Sequence, residues 1–209
     1  MASDKEKYKK CLQKWDLLQE EDLLSVPEHI GKVAIFCSYA VIDLIGERTY
    51  KRGHKDVTNF RKEAFAIADR LHEVGKQSEV ILNANDIDFS TVLRDEHFSD
   101  IVTIGHGNLS TLIINDDSGT DLALDWFDLS TFTDHLKTGD FVQRQCGTFG
   151  RDLSIPLGMF CMSKHCDVIA STGSAFEPKG LDHPANNLLD YVTTEARLDY
   201  KSAKATFCY

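Results

Sequence analysis

Two residues in this chain have the type and the setting for chemistry on a carbonyl group: His106, in Ile104-Gly-His-Gly107, and Cys146, in Gln145-Cys-Gly147. A thiol next to an imidazole is a nucleophile pair, because the base removes the proton that keeps sulfur unreactive. Each residue follows an apolar run of strand type, and each is followed by glycine. Gly107 and Gly147 carry no Cβ, so backbone at these points can lie close to a ligand. Taken singly, a strand-end cysteine is usually a small packed hydrophobe and a His-Gly pair usually a turn. The two acquire meaning only if the fold brings them to one edge.

The elements that would have to do so follow from the apolar pattern. Strands are expected over 32–39, 78–82, 100–104, 140–145 and 167–171, each a short apolar run bounded by polar or turn residues. Helices are expected over 5–21, 57–74, 86–94, 126–136, 155–164 and 184–197. The first carries Tyr8, Leu12, Trp15 and Leu18 at helical spacing. The second carries Phe60, Ala64, Phe65, Ala68 and Leu71 and stops at Gly75. The polar stretch 44–56, with Gly46 and Gly53, is expected to be a loop. Residues 111–114 and 122–124 flank Asp116-Asp-Ser-Gly119, a hairpin signal. Residues 203–208 are expected to form an edge strand, which could pair across a homodimer.

Strands and helices thus alternate, the pattern of a mainly parallel sheet with helices on both faces. The chain reads as a single three-layer α/β domain over 31–209, with residues 1–30 as an N-terminal helical flank. Open sheets of this kind bind ligands beyond the carboxyl ends of their strands. That edge would collect Asp43, Arg48 and Arg52 after the first strand and Asn83, Asn85 and Asp86 after the second. It would also collect His106 after the third, Cys146 after the fourth and Thr172-Gly-Ser174 after the fifth. Adjacency of the third and fourth strands is an assumption here.

Composition narrows the function classes. The 209 residues suit one domain, and 42% hydrophobic with 27% charged residues is ordinary for a globular protein. A net charge of −10 repels phosphate, so neither nucleic acid nor an anionic membrane face is expected as a partner. The charged N-terminal residues do not resemble a secretory signal, and no run approaches the roughly 18 apolar residues of a membrane span. Six cysteines in such a chain are expected to be reduced thiols, and the protein to be cytoplasmic. No cofactor is expected. Gly105-His-Gly107 lacks the third glycine of a dinucleotide loop. Cys161-Met-Ser-Lys-His-Cys166 supplies one of the two ligand pairs that structural zinc wants.

The order of these residues resembles the caspase-like fold, which includes caspases, metacaspases, separases and CHAT-type peptidases. In that fold a strand ends in His-Gly, a hairpin and helix follow, and the next strand ends in the nucleophilic cysteine. The matching stretch runs from Asp100-Ile-Val-Thr-Ile-Gly-His-Gly107 to Phe141-Val-Gln-Arg-Gln-Cys-Gly147, and the layout as a whole spans about residues 32–176. The two residues are 40 apart, against about 50 in caspases. The resemblance implies a cysteine endopeptidase acting on a protein or peptide substrate. Cys146 would attack the peptide carbonyl, His106 would act as general base and acid, and the backbone N–H groups of Gly107 and Cys146 would hold the oxyanion.

Two departures shape the expectations. Caspases have glutamine two residues before the nucleophile and metacaspases aspartate, whereas this chain has Arg144. In those families the position lines the pocket for the residue before the cut bond. Arg144, with Arg52 from the segment Lys51-Arg-Gly-His-Lys-Asp56, would suit an acidic substrate residue; the alternative is an arginine paired with a nearby carboxylate. Second, only about 20 residues separate Cys146 from the fifth strand, too few for the long loop cut in caspase activation. Activity without chain cleavage is expected, with a regulatory ligand or partner protein as a further expectation. The rival functions are a non-catalytic module binding a peptide or small nucleotide at the strand ends, and a cysteine-dependent transferase or glycohydrolase at the same edge.

Overall fold

In the computed structural model, residues 3–22, 31–39, 47–73, 75–115, 121–145, 155–164, 166, 168–170 and 197–198 are described; the side chains of 21–22, 47–56, 121, 169–170 and 197–198 lie outside that description. The elements run α1 (Asp4–Asp22), β1 (Lys32–Cys37), α2 (Glu47–Glu73), β2 (Ser78–Leu82), α3 (Asp86–Arg94), β3 (Phe98–Ile104), β4 (Thr111–Asn115), β5 (Asp121–Asp125), α4 (Trp126–Phe132), β6 (Phe141–Arg144), β7 (Val168–Ala170) and β8 (Arg197–Leu198).

The strands have the order β2-β1-β3-β6-β7-β8, with β4 and β5 as a separate antiparallel hairpin. All pairings from β2 through β7 are parallel, and only β8 runs antiparallel, against β7. The central strands are apolar on both sides, as burial on two faces requires. Alternation along β1 sends Val33, Ile35 and Cys37 to a cluster with Phe60, Ala64, Ile67 and Leu71 of α2. Ala34 and Phe36 go to the opposite face, with Phe89, Val92 and Leu93 of α3 and Leu129 of α4. Phe36 and Phe89 stack there with centroids 3.8 Å apart. The fold is therefore a mainly parallel α/β sheet with a helix layer on each face. Helix α1 lies outside the second layer: Tyr8, Cys11 and Trp15 pack with Trp126, Ile155 and Phe160, and Trp15 Nε1 donates to the carbonyl of Met162 at 2.8 Å.

Both α3 and α4 begin at capping boxes. Asn85 and Asp88 exchange side-chain-to-backbone bonds at the first, Asp125 and Asp128 at the second. The second box also ends β5, so hairpin and helix meet without a linker.

Three expectations are corrected. Residues 47–56 belong to α2, not to a loop; a glycine such as Gly53 costs a helix only about 1 kcal/mol, which the packed stripe further along outweighs. The helix expected over 126–136 ends at Phe132. The helix expected over 155–164 is a run of turns. Its backbone pairs across the fold instead: Leu157 N–H donates to Leu109, Lys137 N–H to Cys161 and Ser163 N–H to Lys137. Gly158 packs against the Phe141 ring, where a Cβ would come within 2.3 Å. A helix would have carried these groups past their partners. The strand expected over 203–208, its dimer pairing, and most of the helix over 184–197 lie outside the described residues; Arg197, placed at the end of that helix, is in β8. Among the described residues, no helix is long and apolar enough to cross a membrane.

Candidate active site

Strands β3 and β6 are neighbours, an adjacency that no local pattern in the sequence specifies. Their register pairs Ile101 with Phe141, Val102 with Val142, Thr103 with Gln143 and Ile104 with Arg144, an offset of 40 residues at every step. His106 follows β3 by two residues, and Cys146 follows β6 by two, the same offset. Cys146 itself, with Gly147, lies outside the described residues.

The backbone around His106 is held by the hairpin. Ile113 N–H donates to the His106 carbonyl at 2.8 Å and Asn108 N–H to the Thr111 carbonyl at 2.9 Å, on either side of an antiparallel bridge between Gly107 and Leu112. In a bridge made by its neighbours, a residue's own N–H points away from the partner strand. Gly107 is thus pinned with its N–H outside the bridge. Its φ is +156°, and a Cβ would stand 2.2 Å from the Thr111 carbonyl oxygen, so glycine is required. Gly105 plays a related part: it allows Ser38, at the end of β1, to pass close enough for Ser38 Oγ to donate to the Ile113 carbonyl at 2.6 Å.

Gln145 locks the two strand ends together. Its Oε1 accepts from Thr103 Oγ1 at 2.8 Å, and its Nε2 donates to the carbonyls of Asn108 and Thr111 at 3.1 and 3.3 Å. Gln143 adds a bond from Nε2 to the Leu109 carbonyl at 2.8 Å. Both glutamines are buried. They tie β6 to the loop that carries His106.

On the other face of the same edge, the His106 ring meets Phe60 of α2 edge-on, with centroids 5.0 Å apart. One helical turn on, Glu63 is 1% exposed and accepts from Arg144 Nε at 2.6 Å; Arg144 is 8% exposed. Arg144, expected to receive an acidic substrate residue, therefore holds a carboxylate of its own. Burial pushes the Glu63 carboxyl above its usual range, and the Arg144 guanidinium opposes that. Cys37, on the same face, is pushed up to about 12, by burial first and by Glu63 second. This thiol stays protonated and is a packed hydrophobe. Arg52 lies in α2, but its side chain is outside the described residues.

The acid on the inward face of α2 was missed in the sequence, although a signal was present. Glu63 falls three residues after Phe60 and one before Ala64, inside the apolar stripe, where a carboxylate needs a partner.

Cys161 and Cys166, the candidates for zinc, face other groups. Cys161 Sγ donates to the Gly158 carbonyl and Cys166 Sγ to the Lys137 carbonyl. Burial raises Cys161 to about 12. Among the described residues, no three His, Cys, Asp or Glu side chains come together to hold a metal ion.

No protein-family model matches the chain, and no curated protein matches it.

Proposed function

We propose that the chain is a cysteine endopeptidase of caspase-like type, with Cys146 as nucleophile and His106 as general base and acid. The observation that carries this reading is the β3–β6 pairing, whose 40-residue offset is also the separation of the two residues. The pinned Gly107, with its N–H outside the hairpin bridge, supports an oxyanion role together with the N–H of Cys146. The hairpin and α4 between β3 and β6 agree with the layout on which the resemblance rests.

The chemistry is a two-step acyl transfer. His106 takes the thiol proton as Cys146 sulfur bonds to the peptide carbonyl carbon, and the oxyanion forms against the backbone N–H groups. The C–N bond then breaks, and His106 returns the proton to the leaving amine. Water, deprotonated by His106, hydrolyses the thioester and restores the thiol.

The test is labelling of the purified chain with peptide acyloxymethyl ketones that differ in the residue before the ketone, followed by mass mapping. An adduct on Cys146 that is lost in His106→Ala, in a protein that still melts cooperatively, is the expected result. An unmodified Cys146 with every probe would overturn the peptidase and leave the binding module.

A further inference from the structure

The ion pair between α2 and the end of β6 bears on what the site would accept. We infer that Glu63 sets the substrate class of the proposed peptidase: by holding Arg144 from within the fold, it makes the site favour an uncharged residue before the cut bond over an acidic one. This rests on the His106/Cys146 reading, because that dyad is what places a substrate at this edge.

The placement comes from named contacts. Arg144 is the last residue of β6 and pairs in register with Ile104, two residues before His106. The His106 ring lies on Phe60, and Glu63 follows Phe60 by one turn of α2. A peptide at His106 would therefore lie over the sheet edge in which this pair is buried. The charges then decide what it tolerates. One guanidinium and one carboxylate, 2.6 Å apart and both buried, neutralise each other. A substrate carboxylate would bring a further anion to a guanidinium that already holds one in a low-dielectric site, and a substrate cation would meet the guanidinium. An uncharged side chain disturbs neither. Arg144 therefore serves as counter-charge to Glu63, and an acid preference is latent in the chain.

The experiment compares the second-order rates at which Cys146 is labelled by two isosteric probes, with Asp or Asn before the ketone. Wild type is expected to react faster with the Asn probe. Glu63→Gln keeps the shape and removes the Glu63 carboxylate from Arg144, so the Asp-to-Asn ratio should rise by at least about tenfold, the worth of one charge-assisted hydrogen bond. Adding Arg144→Gln removes the cation as well and should return the ratio to within about threefold of wild type. A wild type that favours Asp by tenfold, or a cooperatively melting Glu63→Gln whose ratio does not move, overturns the inference. Should Glu63→Gln fail to fold, Glu63→Asp, which draws the carboxylate back from Arg144, takes its place: a ratio raised above that of wild type supports the inference, and an unmoved ratio in a cooperatively melting protein overturns it. Fluorescent peptide amides ending in Asp or Asn, titrated into the same proteins, separate the two layers. If Cys146 is never labelled but Glu63→Gln gains affinity for the Asp peptide, the dyad fails and the role of Glu63 stands. Labelling with an unmoved ratio sinks the role of Glu63 and leaves the dyad. Neither labelling nor binding overturns both.

Discussion

At the scale of single residues, the least replaceable position in the candidate site is Gly107. Its neighbour His106 supplies chemistry, but Gly107 supplies room: a Cβ would sit 2.2 Å from the Thr111 carbonyl oxygen, with φ at +156°. Gly107→Ala is therefore expected to cost about 3 kcal/mol, since backbone strain and overpacking add at one point. Urea unfolding of the variant measures it, and a loss under 1 kcal/mol would show that the hairpin shifts freely. His106 and Gly107 were both legible in the sequence, because a histidine between two glycines after an apolar run is a local pattern. Gln145 was not: its three bonds reach Thr103, Asn108 and Thr111, positions that become neighbours only after β3 and β6 pair.

At the scale of elements, the amino edge of β6 carries a titration of its own. The stretch after α4 was expected to stay helical through Leu136; instead it turns at Thr133 and feeds Lys137 into the interior at 2% exposure. Lys137 Nζ donates to the Asp95 carbonyl at 2.6 Å and lies 3.3 Å from His135 Nε2. Burial lowers its pKa from 10.5 to about 8. The folded protein thus gives up this proton near pH 8 and the unfolded chain near 10.5. Between those values the folded state binds fewer protons, so the lysine contributes stability that rises with pH. Cys37 and Cys161, both raised from 9.0 to about 12, work the other way above pH 9. Comparison with Lys137→Met isolates the lysine: the stability of wild type minus that of the variant should grow from pH 8 to pH 10. Urea midpoints at pH 8, 9 and 10 check this, and a constant difference would mean that the ammonium is solvated.

At the scale of the whole molecule, the sheet separates two apolar layers that were only partly visible as stripes. Ile67 belongs to the α2 layer and Ile101 to the layer of α3, α4 and the hairpin. Ile67→Val and Ile101→Val are each expected to cost about 1 kcal/mol. Their effects should sum to within about 0.5 kcal/mol, because the two side chains share no cluster. A larger coupling in a double-mutant cycle would mean that the sheet transmits packing strain between its faces.

The sequence by itself determined the parts that depend on near neighbours along the chain. Short apolar runs marked β1, β2 and β3, helical stripes marked α1 and α3, the capping residues Asn85 and Asp125 stand next to the helices they start, and the turn residues marked the hairpin. Those signals rest on local sterics and on which face of one element must leave water. Three things were decided only by the tertiary structure. The order β1-β3-β6 depends on how separate strands share the cost of closing the loops between them, which no local pattern encodes. Residues 155–164 gave up an apparent helical pattern because their backbone groups found partners on Leu109 and Lys137. Arg144 received Glu63, 81 positions away, because two charges leaving water together must meet, and only the packed α2 and β6 bring them to one place.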